Sequence, residues 1–192
     1  MDVAAWRRET RSRLIEKRLS LPAPEHRRAS LAVETLLEGL LAKIPPRVIS
    51  AYWPFKAEVD LRPLLGRLQT KGWTTSLPSV VKPRTPLEFL RWTPDSEMVP
   101  GVYGIPVPST RDVVVPDIVI LPLVGFDSEN YRLGYGGGFF DVTLAGMHPR
   151  PRSIGVGFEL GHMDTIHPQV NDIPLDLILT EGGTQGDTGS MF

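Results

Sequence analysis

Residues 130–141 read NYRLGYGGGFFD, and their types and spacing suit the holding of an anion. Glycines at 134, 136, 137 and 138 let the backbone approach a bound group closely and adopt left-handed conformations. N–H groups exposed in such a turn, followed by a helix N-terminus, attract phosphate. Arg132 offers a planar two-pronged donor for the same oxygens. Asp141 offers a carboxylate of the kind that binds Mg2+ together with phosphate. The run is no P-loop, because no Gly-Lys-Ser/Thr follows. Counting from Gly134, the sixth position is Phe139, so the dinucleotide fingerprint is absent as well. The residues alone leave two readings open: an anion site, or a turn that simply folds a strand back onto a helix.

Other chemistries are excluded by composition. There is no cysteine, hence no disulfide, thiolate nucleophile or Cys-ligated zinc. That usage fits a reducing compartment, and the cytoplasm is the expected location. His26, His148, His162 and His167 lack metal-ligand spacing. Lys+Arg 21 against Asp+Glu 22 gives no electrostatic case for nucleic acid as a partner. No apolar run approaches the ~20 residues of a membrane span, and the start lacks a signal-peptide pattern, so no membrane partner is expected. Positive charge is nevertheless concentrated early. Arg7, Arg8, Arg11, Arg13, Lys17, Arg18, Arg27 and Arg28 face only Asp2, Glu9, Glu16 and Glu25 over the first thirty residues.

The elements that must position these groups follow from periodicity. A basic helix over 3–19 has a thin apolar face. A second helix over 24–42 carries Leu31, Val33, Leu36, Leu37, Leu40 and Leu41. The pattern then changes to a strand over 47–52 and a helix over 60–71, with Asp60 as N-cap, Pro63 in the first turn and Gly72 as the stop. Strands are predicted over 74–77 and 87–92, and extended loop over the Pro-rich 93–111. Residues 113–124, VVVPDIVILPLV, read as one central strand covered on both faces. A helix over 138–147 and strands over 153–158 and 175–180 complete an α/β pattern with a mainly parallel sheet. Asp112, Asp117 and Asp127 mark strand ends. Residues 1–181 are expected to form a single domain and 182–192 a flexible tail.

The glycine-rich run also resembles the signature R-L-G-Y-G-K-G-Y-Y-D of the 5-formyltetrahydrofolate cyclo-ligase family. Arg132, Leu133, Gly134, Tyr135, Gly136, Gly138 and Asp141 match it, and Phe139 and Phe140 replace its aromatic pair. Further segments agree in order and spacing: RRETRSRL, AYWPFKAEVDLRPLL, SLP before EFLRW, YGIPVP, PDIVILPLVGFD and NDIPLDLILTE. The resemblance spans Trp6 to Glu181. It implies a three-layer α/β/α sandwich, similar to the NagB/RpiA/CoA-transferase group. It implies a ligase that uses ATP and Mg2+ to convert 5-formyltetrahydrofolate to 5,10-methenyltetrahydrofolate, by phosphorylation of the formyl oxygen and ring closure. A nucleotide and a reduced folate are then the partners, and a monomer or weak dimer is expected.

By the same resemblance, Arg7, Arg11, Arg132, Gly134, Tyr135, Gly136, Gly137, Gly138 and Phe139 contact the nucleotide. Tyr52, Glu58 and Tyr103 contact the folate. Asp141 and Asp176 hold Mg2+, and Arg132 and Asp141 act in catalysis. The chain departs from the pattern at Gly137, which replaces the lysine, and at Val107 and Val142. Two readings follow: an active cyclo-ligase in which other basic residues compensate for weak chemistry at Gly137, or a paralogue that binds a nucleotide or folate-like ligand with lost or altered catalysis.

Overall fold

The computed structural model describes residues 2–189. Four α-helices are present: α1 (Val3–Leu19), α2 (Ala23–Leu41), α3 (Arg62–Thr70) and α4 (Phe139–Gly146). The strands are β1 (Val48–Ser50), β2 (Thr74–Ser79), β3 (Glu88–Arg91), β4 (Met98–Pro100), β5 (Pro106–Pro108), β6 (Val113–Val114), β7 (Ile118–Pro122), β8 (Gly125–Asp127), β9 (Arg132–Leu133), β10 (Arg152–Val156), β11 (His162–Met163), β12 (Leu177–Thr180) and β13 (Gly183–Gly186). Asp2 starts α1 by accepting the N–H groups of Ala4 and Ala5 at 3.0 and 3.1 Å. The N-cap of α3 is Leu61 rather than Asp60, whose carboxylate instead accepts from the Arg62 N–H.

One eight-stranded sheet runs β13-β12-β10-β7-β1-β2-β3-β6. Its five central strands are parallel, and antiparallel pairs close both edges. Alternation along β7 explains the layering. Ile118 and Ile120 join a core with α2 and α3, including Leu37, Leu41, Leu64 and Leu68. Val119 and Leu121 face the other way and pack with Leu144 and Phe140 of α4. Both faces are thus covered, which is why β7 reads as an unbroken apolar run. A smaller core seats α1 through Leu14 and Ile15 on Val124, Leu133 and Ile166. Among the described residues no helix is long and apolar enough to cross a membrane.

Four local expectations are corrected. The run 113–124 is not one strand: Pro116 has no N–H for a ladder, so 113–114 form the edge strand β6 and 118–122 the central β7. The Pro-rich loop contains a small hairpin, β4 against β5. The tail is in part ordered, because β13 pairs antiparallel with β12 from Leu177–Gly186 to Thr180–Gly183, while residues 190–192 lie outside the described residues. Leu31 and Leu36 of α2 are exposed, leaving Val33, Leu37, Leu40 and Leu41 to form its buried face. Asp117 and Asp127 do mark strand ends: Asp117 accepts from the Val48 N–H, and Asp127 accepts from the N–H groups of Glu129 and Tyr131.

Candidate active site

The carboxyl ends of β1, β2 and β7 open into a cavity of about 980 Å3. This is the end of a parallel sheet at which ligands bind. One wall is the first half of α1, with Arg7, Arg8 and Arg11. A second is the segment after β1, with Tyr52, Trp53, Phe55 and Glu58. A third is the glycine-rich turn from Arg132 to Asp141, and Tyr103 and Asp172 close the rim.

Backbone conformation accounts for two of the four glycines in the turn. Gly136 has φ 95° and Gly138 has φ 66°, in the left-handed region that side chains avoid. Gly138 is the N-cap of α4, so the turn leads directly into a helix N-terminus. Arg11 reinforces the turn from α1, donating from Nε to the Gly134 carbonyl at 2.5 Å. A Cβ at Gly136 would lie 3.3 Å from the Arg11 guanidinium carbon. Gly137 has no positive φ, but a Cβ there would lie 2.6 Å from the Phe139 ring. That ring in turn meets Tyr103 edge-on, with centroids 6.3 Å apart.

Cations converge on the same space. Arg132 is 7% exposed and pairs with Asp141, Nη2 to Oδ2, at 2.9 Å. Its Nε is buried with no hydrogen-bond partner among the described residues. Such an orphaned donor beside a cavity suits an anionic ligand oxygen. Arg7 forks onto Asp172 at 2.6 and 3.2 Å. Burial, and then the neighbouring charge of Arg7, hold Arg11 below the ordinary arginine range.

Tyr52, Glu58 and Tyr103, predicted from sequence to contact the folate, line the same cavity. Glu58 accepts from the Phe55 N–H at 2.9 Å and from the Tyr135 hydroxyl at 2.7 Å. Burial pushes its carboxyl above the usual range, although Tyr135, Arg18 and the Phe55 N–H all oppose the shift. Tyr52 lines the cavity, but its hydroxyl is committed to the Val59 carbonyl at 3.0 Å, so it positions the Glu58 segment. Tyr103 is 70% exposed on a turn with φ 61°, its ring set edge-on against Phe139 at the cavity rim.

Asp176, expected at the metal, lies elsewhere. It precedes β12, at the amino end of the parallel strands, and its Oδ2 accepts from the Ser153 N–H and hydroxyl, both at 2.7 Å. It ties β10 to β12 and does not line the cavity. Asp172, four residues earlier, lines the cavity instead. The Ile173 N–H donates to Asp141 Oδ1 at 3.2 Å, which brings this segment against the glycine-rich turn. Nothing in the sequence pattern distinguished Asp172 from Asp176 in NDIPLD; the fold does, because β12 begins at Leu177 and Asp176 lies at its amino end. Arg18, which the sequence showed only as one of the early positive charges, is 3% exposed.

Mg2+ fits this donor set as a shared ligand. No group of three or more His, Cys, Asp or Glu among the described residues forms a cage. Mg2+ commonly takes one or two protein carboxylates and completes its shell with phosphate oxygens and water. Asp141 and Asp172 are the two carboxylates that line the cavity beside the glycine-rich turn and the α1 arginines, and Glu58 is the third carboxylate of the lining.

Comparison with known proteins agrees with this geometry. The family model for the 5-formyltetrahydrofolate cyclo-ligase family matches residues 3–181. A 5-formyltetrahydrofolate cyclo-ligase of Haemophilus influenzae is 30% identical over 181 residues, covering 90% of this chain and 96% of its own. One from Escherichia coli strain K12 is 34% identical over 140 residues, covering 69% of this chain and 76% of its own. The NMR structure of Aquifex aeolicus 5,10-methenyltetrahydrofolate synthetase superposes with a TM-score of 0.81 at 29% identity, covering 94% of this chain and 92% of that one. The synthetase of Mycoplasma pneumoniae shares the fold, with a TM-score of 0.76 at 24% identity over 94% and 99% of the two chains. With the glycine-rich turn, the arginines of α1 and Glu58 gathered at one end of a sheet that these relatives share, the chain belongs to the 5-formyltetrahydrofolate cyclo-ligase family.

Proposed function

We propose that the protein converts 5-formyltetrahydrofolate to 5,10-methenyltetrahydrofolate with ATP. The single observation that carries this reading is the union, in one cavity, of an arginine-rich phosphate cradle with a buried carboxylate. Arg7, Arg11 and Arg132 line that cavity together with Glu58, Phe55 and Tyr103. A pterin presents N–H and amino donors to a carboxylate and a flat face to aromatic rings, whereas a nucleotide presents phosphates to the arginines.

The chemistry needs both partners. A formyl oxygen on nitrogen is a poor leaving group. Transfer of the γ-phosphoryl group to that oxygen makes it a good one. The N10 lone pair then attacks the formyl carbon, N10 gives up its proton to solvent, the C–O bond breaks, and phosphate departs with that oxygen as the methenyl bridge forms. In this reading the glycine-rich turn orients the phosphates, and Arg132, aimed by Asp141, neutralises charge on the transferring group. Glu58 fixes the ring so that N10 lies near the activated carbon. Mg2+ held by Asp141 and Asp172 supplies further charge neutralisation on the nucleotide. Gly137 does not have to provide the cation, because Arg7, Arg11 and Arg132 line the same cavity. We place this activity in the cytoplasm, in a monomer or weak dimer.

The test is direct. Purified protein, 5-formyltetrahydrofolate and Mg-ATP should yield the near-ultraviolet absorbance of the methenyl product, and omission of ATP should abolish it. Nucleotide and folate binding without product would instead favour the non-catalytic paralogue that the Gly137 departure suggests.

A further inference from the structure

Arg18 ends α1 behind the cavity wall and does not line the cavity. It nevertheless fastens three of the cavity's parts. Nε donates to the Lys56 carbonyl at 2.9 Å, Nη1 to the Leu123 carbonyl at 3.1 Å, and Nη2 to the Tyr135 hydroxyl at 2.6 Å. Those acceptors belong to the Glu58 segment, to the chain leaving β7, and to the glycine-rich turn. The segment from Phe55 to Glu58 needs such fastening. Lys56 and Ala57 have φ 48° and 58°, strained for residues with a Cβ. His26 of α2 adds a contact with the Ala57 carbonyl at 2.9 Å, and Tyr52 holds Val59.

The chain of hydrogen bonds has a fixed direction. A guanidinium has no acceptor. Tyr135 therefore accepts from Arg18, and its single proton points onward to Glu58 Oε1 at 2.7 Å. The Phe55 N–H points at Oε2 at 2.9 Å. Both carboxyl oxygens thus face donors, and a protonated Glu58 would turn an O–H toward one of them. The other groups around Glu58 do not replace this arrangement. The Lys56 ammonium lies 5.2 Å from the Phe55 ring centroid and 6.0 Å from that of Tyr135. Asp60 is paired with Arg62 at 2.6 Å, and Tyr52 points at Val59. The Arg18 Nη2 lies 4.0 Å from Glu58 Oε1.

We infer that Arg18 is a positioning residue for the reaction: acting through the Tyr135 hydroxyl, it aims Glu58 at the folate ring, keeps it an acceptor, and ties folate recognition to the nucleotide-binding turn. This rests on the cyclo-ligase reading proposed above. Burial drives the Glu58 carboxyl toward its protonated form, and the Tyr135 hydrogen bond and the Arg18 charge resist that drive. Removing either leaves less carboxylate at a given pH, so the acid limb of folate use moves upward.

The experiment is a pH profile of kcat/KM for 5-formyltetrahydrofolate at saturating Mg-ATP, run on wild type, Arg18→Met, Tyr135→Phe and Glu58→Gln. Tyr135→Phe keeps the ring that packs 5.8 Å from Phe55 and removes only the hydroxyl, so it tests the link even if Arg18→Met fails to fold. We expect KM for the folate at neutral pH to rise about tenfold or more in Tyr135→Phe, and its acid limb to move to higher pH by about one unit. Glu58→Gln should lose that limb altogether. Folded Tyr135→Phe with an unmoved acid limb and unchanged KM for the folate would overturn the role of Arg18. A folded wild type that forms no methenyl product with ATP would overturn the cyclo-ligase reading itself, and this inference with it.

Discussion

Arg132 and Asp141 stand nine residues apart, on either side of the glycine-rich turn, and close it with an ion pair of 2.9 Å. The pair leaves the Arg132 Nε without a partner while the rest of the guanidinium is buried over the Phe140 ring. The site is thus pre-formed but short of one acceptor. Replacing the carboxylate strands a buried cation, which costs about 3 kcal/mol or more. We expect Asp141→Ala to be destabilised by that order in urea unfolding, and ATP to restore more stability to the variant than to wild type if phosphate oxygens repartner Arg132. Equal stabilisation by ATP in both proteins would remove Arg132 from the nucleotide site.

Gly136 and Gly104 provide a matched pair. Both have positive φ, 95° and 73°, so alanine strains each by about 1 kcal/mol. Only at Gly136 would the methyl press on the Arg11 guanidinium, whereas at Gly104 it meets open space. Calorimetric titration should show weakened ATP binding for Gly136→Ala and wild-type ATP binding for Gly104→Ala, with similar small losses of stability.

Gly137→Lys tests where the phosphate-side charge comes from. Its Cβ would displace the Phe139 ring, and with it the Tyr103 contact over the folate side. We expect KM for the folate to rise and turnover not to increase. A lysine that raises turnover while leaving KM for the folate in place would show that the three arginines fall short of the charge the reaction needs.

Asp172→Ala releases Arg7 from its fork at 2.6 and 3.2 Å and removes a carboxylate from the cavity rim. We expect the Mg2+ concentration for half-maximal rate to rise, whereas Asp176→Ala should leave it unchanged and lower stability by loosening β10 against β12. The two Mg2+ titrations, set beside two unfolding curves, check the assignment.

Glu58 links folate binding to pH-dependent stability. Its folded pKa is raised, chiefly by burial, so the native state retains this proton over a window above the ordinary glutamate range. The contribution of Glu58 to stability is therefore present at lower pH and is lost as pH rises through that window. Glu58→Gln should abolish this slope in urea unfolding above the ordinary glutamate range. It should also weaken folate binding by about 1.5–3 kcal/mol, the worth of a charge-assisted hydrogen bond. Unchanged folate affinity would remove Glu58 from the substrate site.

The sequence by itself determined the layers and the location of the site. The continuous apolar run of β7 required cover on both faces, and a glycine-rich turn between strand and helix marked the ligand end, because both are local patterns with short-range causes. Arg7, Arg11, Arg132, Glu58 and Asp141 were legible as members of one site through their resemblance to a family motif. What only the tertiary structure decided is which of those groups meet. Asp176 lies at the amino end of its strand and Asp172 lines the cavity rim, a distinction set by strand direction rather than residue type. Arg18 reads in sequence as one more cation on a basic helix. Its three acceptors are 38, 105 and 117 residues away, and burial there is tolerated because each N–H that faces inward finds one of them. Long-range hydrogen bonds of this kind leave no period or motif in the chain, so only the folded arrangement shows that Arg18, Tyr135 and Glu58 form one connected unit.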